Sequence, residues 1–71
     1  RLEVVISQEA LDFLLSKGLD AARIDELRQV LKEDPRPQYQ HDAARVYGMP
    51  FAGKDVKFRV EGDVLEVVGI D

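Results

Sequence analysis

Gly62-Asp63 is the residue pair that most constrains how this chain can fold. It stands between two apolar alternations, Val56, Phe58 and Val60 before it and Leu65 and Val67 after it. A two-residue loop containing glycine, which tolerates positive φ, joins neighbouring antiparallel strands. Such a loop dictates register: Glu61 faces Val64, Val60 faces Leu65, Arg59 faces Glu66 and Phe58 faces Val67. Apolar residues then meet on one face and an opposite-charge pair forms on the other, each pair contributing roughly 0.2–1 kcal/mol. A slip of one residue would set Arg59 against Leu65 and lose both. The outer face is expected to carry Val64, Val68 and Ile70, a small apolar patch suited to a partner.

The rest of the chain reads outward from that hairpin. Residues 1–6 alternate, with Leu2, Val4 and Ile6 on one face, as a half-buried strand does. Ser7 is placed to cap a first helix, with Glu9 suiting its positive end and Ala10, Leu11, Leu14 and Leu15 at helical spacing beside Phe13. Gly18 closes it. Asp20 caps a second helix, Leu19 and Ile24 form a hydrophobic staple, and Ile24, Leu27, Val30 and Leu31 make its apolar stripe. Asp34-Pro35 ends that helix, because proline disfavours the helical conformation of the residue before it. Residues 38–44 are polar loop, Arg45 to Phe51 is a strand interrupted by Gly48 and Pro50, and Ala52-Gly53-Lys54 is a turn. The fold class expected is α+β: an N-terminal strand, an antiparallel αα-hairpin and a three-stranded antiparallel meander in one domain, residues 1–71.

Size and charge narrow the function. A chain of 71 residues supports a single thin core, so a stabilising partner is expected. The chain begins at Arg1 rather than Met, so further residues are expected at either end. No apolar run approaches the ~20 residues of a membrane span, and nothing resembles a signal peptide, which makes the cytoplasm the default location. There is no cysteine and a single histidine, so no disulfide, metal site or cofactor is expected.

The net charge is -4, unlike that of a general nucleic-acid binder. The charge is unevenly spread. Residues 1–35 carry 5 basic and 8 acidic groups, residues 36–59 carry 5 basic and 2 acidic, and residues 60–71 carry 4 acidic and none basic. An anion-facing surface therefore belongs to the middle segment, with Arg45, Lys54, Lys57 and Arg59 as target-binding candidates, although a solvated basic face would look the same. Arg59 also has a simpler partner in Glu66. His41 has the pKa range of a general base but sits in a polar loop beside Asp42. Tyr47 could move a proton or stack on a base, or simply pack in a strand. With Arg45, these are the candidates for catalysis. Tyr39 and Gln40 carry no signal. No phosphate-binding glycine loop and no nucleophile–base set can be assembled.

Three stretches resemble the RelE/ParE toxin superfamily of type II toxin–antitoxin systems. They are Arg1-Leu-Glu-Val-Val-Ile-Ser-Gln-Glu-Ala-Leu, then Leu31-Lys-Glu-Asp-Pro-Arg-Pro, and the run from Arg45 to Ile70. The resemblance implies a toxin-like domain acting through protein binding to an antitoxin and a cellular target. Within that family the alternatives are an endoribonuclease that cleaves mRNA on the ribosome and a poison of DNA gyrase. Cleavage would require cations to stabilise the phosphorane and a general base and acid. Arg45 matches a basic position of that family, whereas Asp55 stands where an arginine is expected and the chain ends before the usual basic tail. A non-toxic interaction module, dimerising through Val64, Val68 and Ile70, is the reading from a different class.

Overall fold

A computed structural model of the chain describes residues 1–38 and 41–71. Its elements are β1 (Glu3–Val5), α1 (Gln8–Ser16), α2 (Ala21–Lys32), β2 (Tyr47–Phe51), β3 (Lys54–Glu61) and β4 (Val64–Ile70). Helix ends fall where the side chains place them. The Ser7 hydroxyl accepts from the Ala10 amide at 3.1 Å, and the Asp20 carboxylate accepts from the Arg23 amide at 2.9 Å. Each satisfies a first-turn donor that has no partner inside its helix. Gly18, at φ 99°, carries the chain out of α1, where the Leu19 amide donates to the Leu14 carbonyl at 3.2 Å. Leu19 and Ile24 are both buried, as a staple requires. Val30, expected on the apolar stripe of α2, is exposed. Of the expected loop 38–44, Tyr39 and Gln40 lie outside the described residues.

The hairpin adopts the expected register, with Glu61↔Val64, Val60↔Leu65, Arg59↔Glu66 and Phe58↔Val67. Gly62 stands at φ 61° at the first loop position. β2 pairs antiparallel with β3 and forms one edge of the sheet, where Pro50 costs no ladder bond to a further strand. It starts at Tyr47 rather than Arg45.

The sheet differs from expectation first in its make-up. It has four strands in the order β1-β4-β3-β2 and is mixed, because β1 runs parallel to β4 with Glu3↔Val64, Val4↔Leu65 and Val5↔Glu66. The Glu3 amide donates to the Asp63 carbonyl at 2.7 Å, and the Leu2 amide donates to the Lys32 carbonyl at 3.0 Å. The first strand therefore ties the end of α2 to the start of β4. Each helix rests on the sheet more than on the other helix: α1 lies against β4 and α2 against β1.

A second difference lies within β4. Phe58 pairs with Val67 but Lys57 pairs with Gly69, so Val68 is an extra residue, a β-bulge. One extra residue reverses the facing of everything after it. Ile70, expected on the outer patch with Val64 and Val68, instead pairs with Val56 and is only 2% exposed. Val64 and Val68 remain at 41% and 40%. The core beneath the helices comprises Leu14, Leu27 and Leu31 from the helices, with Val56, Phe58, Val60 and Leu65 from the hairpin. Among the described residues no polar or charged side chain is buried with them.

Candidate functional site

The strand period separates two sets of β3 side chains. Val56, Phe58 and Val60 point under the helices, and Asp55, Lys57, Arg59 and Glu61 point away. The expected basic stripe is divided by this geometry. Lys57 and Arg59 share the helix-free face. Lys54 has the facing of the core residues, lies opposite Phe51, and stands five residues from Arg59, roughly 17 Å at ~3.4 Å per residue.

Lys57 already has partners. Its ammonium donates to Asp71 Oδ2 at 3.0 Å and lies 3.7 Å from Asp55 Oδ2. The bond to Asp71 and that carboxylate's charge, with Asp55 beyond, hold the Lys57 pKa above its ordinary value. The two aspartates are also joined through the backbone, the Asp55 amide donating to the Asp71 carbonyl at 3.1 Å and the reverse bond at 3.0 Å. Lys57 thus ties Asp71 to β3. Arg59 and Lys54 form no ion pair among the described residues. Arg59 and Glu61 flank Ala43 and Ala44 around a shallow depression of about 550 Å³.

The candidates before β2 gather around one ring. Tyr47 is buried and stacks on Phe58, with centroids 5.6 Å apart and planes at 22°. Its hydroxyl accepts from the Asp42 amide at 3.0 Å. The Arg45 guanidinium carbon stands 5.7 Å from the ring centroid, a cation–π distance, and the Arg45 amide donates to the Asp42 carbonyl at 3.1 Å. Tyr47 is accordingly a core residue that anchors the loop ahead of β2 and presents Arg45. His41 is exposed one residue before this anchor.

Two features were not singled out from the sequence. Asp34 takes φ 60°, and its carboxylate receives both Nε and Nη2 of Arg36 at 2.8 Å. This bidentate pair, with the Arg36 side chain 9% exposed, holds the Asp34 carboxyl below its ordinary value against the opposing effect of burial. The sequence marked this stretch as a helix stop and as part of the family resemblance, with Arg36 only one cation of the middle segment. The other feature is an open groove of about 630 Å³ between α1 and β4, bordered by Glu9, Asp12, Phe13, Glu66 and Val68 among others. It depends on packing between distant segments, so no local signal announces it.

Residues 1–71 match the family model described as the TrmO C-terminal domain. The chain belongs to that family. This finding overturns the RelE/ParE resemblance and the toxin function drawn from it, because the family is a tRNA methyltransferase-associated one. The antitoxin, ribosome and gyrase partners rested on that resemblance alone. The order of strand, helices and meander that suggested it is a small-domain arrangement open to unrelated sequences, and element order carries no function by itself. No curated protein and no solved structure gives a significant match to this TrmO C-terminal domain.

Proposed function

We infer that this TrmO C-terminal domain positions RNA for a tRNA-modifying protein, working as a binding appendage to the part of the protein that performs the chemistry. Family membership supplies the substrate class. The observation that carries the reading is the placement of cations that form no ion pair among the described residues. Arg45, raised on the Tyr47 ring, and Arg59, beside the Ala43–Ala44 depression, lie at the β2–β3 side of a sheet that is acidic elsewhere. Exposed arginines of this kind meet phosphates, which orient a nucleic acid without reading its sequence.

Among the described residues the core holds no charged side chain, and this supports binding over catalysis, since charge-stabilising sites gain their strength from desolvation. With so few cations and a net charge of -4, the domain adds register to a contact made mainly elsewhere. Such a role belongs in the cytoplasm; no helix among the described residues is long and apolar enough to cross a membrane.

The test is tRNA affinity across a salt series, measured on the full protein with Arg45 and Arg59 both replaced by alanine. Each lost phosphate contact should lower the salt slope by roughly 1 and weaken binding at every sequence alike. An unchanged slope and affinity would remove the proposal.

A further inference from the structure

We propose that the groove between α1 and β4 docks an extended, lysine- or arginine-bearing segment of a partner protein. Three observations converge there. The first is a short open strand edge. β1 covers β4 only from Val64 to Glu66, and the strand continues to Ile70 with no neighbour on that side among the described residues. An extended chain can add to such an edge through its backbone. Val68, at the bulge, is exposed beside the groove, and Gly69 leaves the space above the backbone open, with nothing within 4 Å of where a Cβ would stand.

The second observation is an apolar wall. Phe13, beside the buried stripe of α1, is 44% exposed and faces the groove with Ala10 and Val68. An alternating segment that lays backbone along β4 would set every second side chain against this wall.

The third is charge. The ionisable groups bordering the groove are Glu9, Asp12 and Glu66, all acidic, and no basic side chain borders it. Asp12 is held by Gln8 Nε2 at 2.9 Å, which leaves its charge uncompensated. Lys17, just after α1, is engaged over the Phe13 ring at 5.3 Å, and Arg59 stands opposite Glu66 in the ladder. Nucleic acid is repelled by such a rim. A second copy docking groove to groove would set these carboxylates against their own equivalents. A basic polypeptide segment meets them with opposite charge.

The test titrates the isotope-labelled 71-residue chain with a short peptide alternating valine and lysine, against a control alternating valine and glutamate. Amide shifts confined to Glu9–Phe13 and Glu66–Gly69 are expected with the lysine peptide only. The Asp12→Lys, Glu66→Lys double variant should weaken binding about tenfold or more. Asp12→Asn with Glu66→Gln, which keeps size and removes charge, should give an intermediate loss and serves if the reversal disturbs the fold. Equal binding of the glutamate peptide, shifts centred elsewhere, no binding, or concentration-dependent self-association through the same residues would each overturn the proposal. Asp12→Lys alone leaves Glu66, the residue opposite Arg59, in place, so tRNA affinity should be unchanged by it, which separates this inference from the RNA-positioning one.

Discussion

Under the helices, the sheet offers Val56, Phe58, Val60 and Leu65, each at most 1% exposed; on its other face the same strands offer Lys57, Arg59, Glu61 and Glu66. The two faces are one residue apart in sequence and opposite in what they require. The covered face is governed by volume and close packing, where any lost methylene is felt. The open face is governed by charge and partner, where most substitutions leave stability alone. Binding is therefore separable from folding in this domain, and each face can be altered while the other is read out.

The largest separation should come from Phe58→Ala, which removes the ring stacked on Tyr47 and leaves a cavity beneath both helices. A loss of about 3–5 kcal/mol in denaturant unfolding is expected; a loss near 1 kcal/mol would mean that the described core is wrong. Ile70→Ala should come next, at about 2–5 kcal/mol, while Val64→Ala and Val68→Ala each stay within roughly 0.5 kcal/mol. Equal effects at the three positions would refute the bulge. Gly62→Ala forces a Cβ into φ 61°, and thermal melts should show a cost of about 1–2 kcal/mol.

A smaller effect is expected at acid pH. Arg36 depresses the Asp34 pKa below its ordinary value of 3.8, so this pair stabilises the fold fully above that value. The contribution is lost as pH falls through the lowered folded pKa, when the carboxylate takes up a proton. The stability difference between the native chain and Arg36→Ala should therefore shrink as pH drops below about 4. A difference constant down to strongly acid pH would show that Asp34 does not use Arg36 as described. Smallest of all, Arg59→Ala should change stability by no more than about 0.5 kcal/mol while lowering tRNA affinity. A destabilisation comparable to that of Ile70→Ala would mean that the open face also serves the fold.

How far the site could be read ahead of the structure follows the range of the interactions. Arg45 and Arg59 stood out as cations in an otherwise acidic chain, and both are exposed. Lys57 stood out equally, but Asp71, fourteen positions away, neutralises it, and only the pairing of Asp55 with Asp71 brings that carboxylate near. Tyr47 was legible as a strand tyrosine, yet its stacking on Phe58 and its bond from Asp42 needed the sheet to assemble. Arg36 was counted among the middle cations, and its bidentate bond to Asp34 withdraws it from solvent.

Some features were determined by the sequence alone: the helix caps at Ser7 and Asp20, the exit at Gly18, and the Gly62-Asp63 turn with the register it imposes. Each is decided within a few residues by backbone stereochemistry and the nearest donor or acceptor, so no distant segment can overrule it. Tertiary structure decided the rest. Pairing Glu3–Val5 with Val64–Glu66 closes a loop of nearly the whole chain, and that strand could equally have satisfied its backbone at another edge. The bulge at Val68 arises only when two strands must match lengths, and it sends Ile70 inward. The acidic groove exists because β1 stops short and α1 lies beside the uncovered remainder of β4, a juxtaposition that packing alone creates.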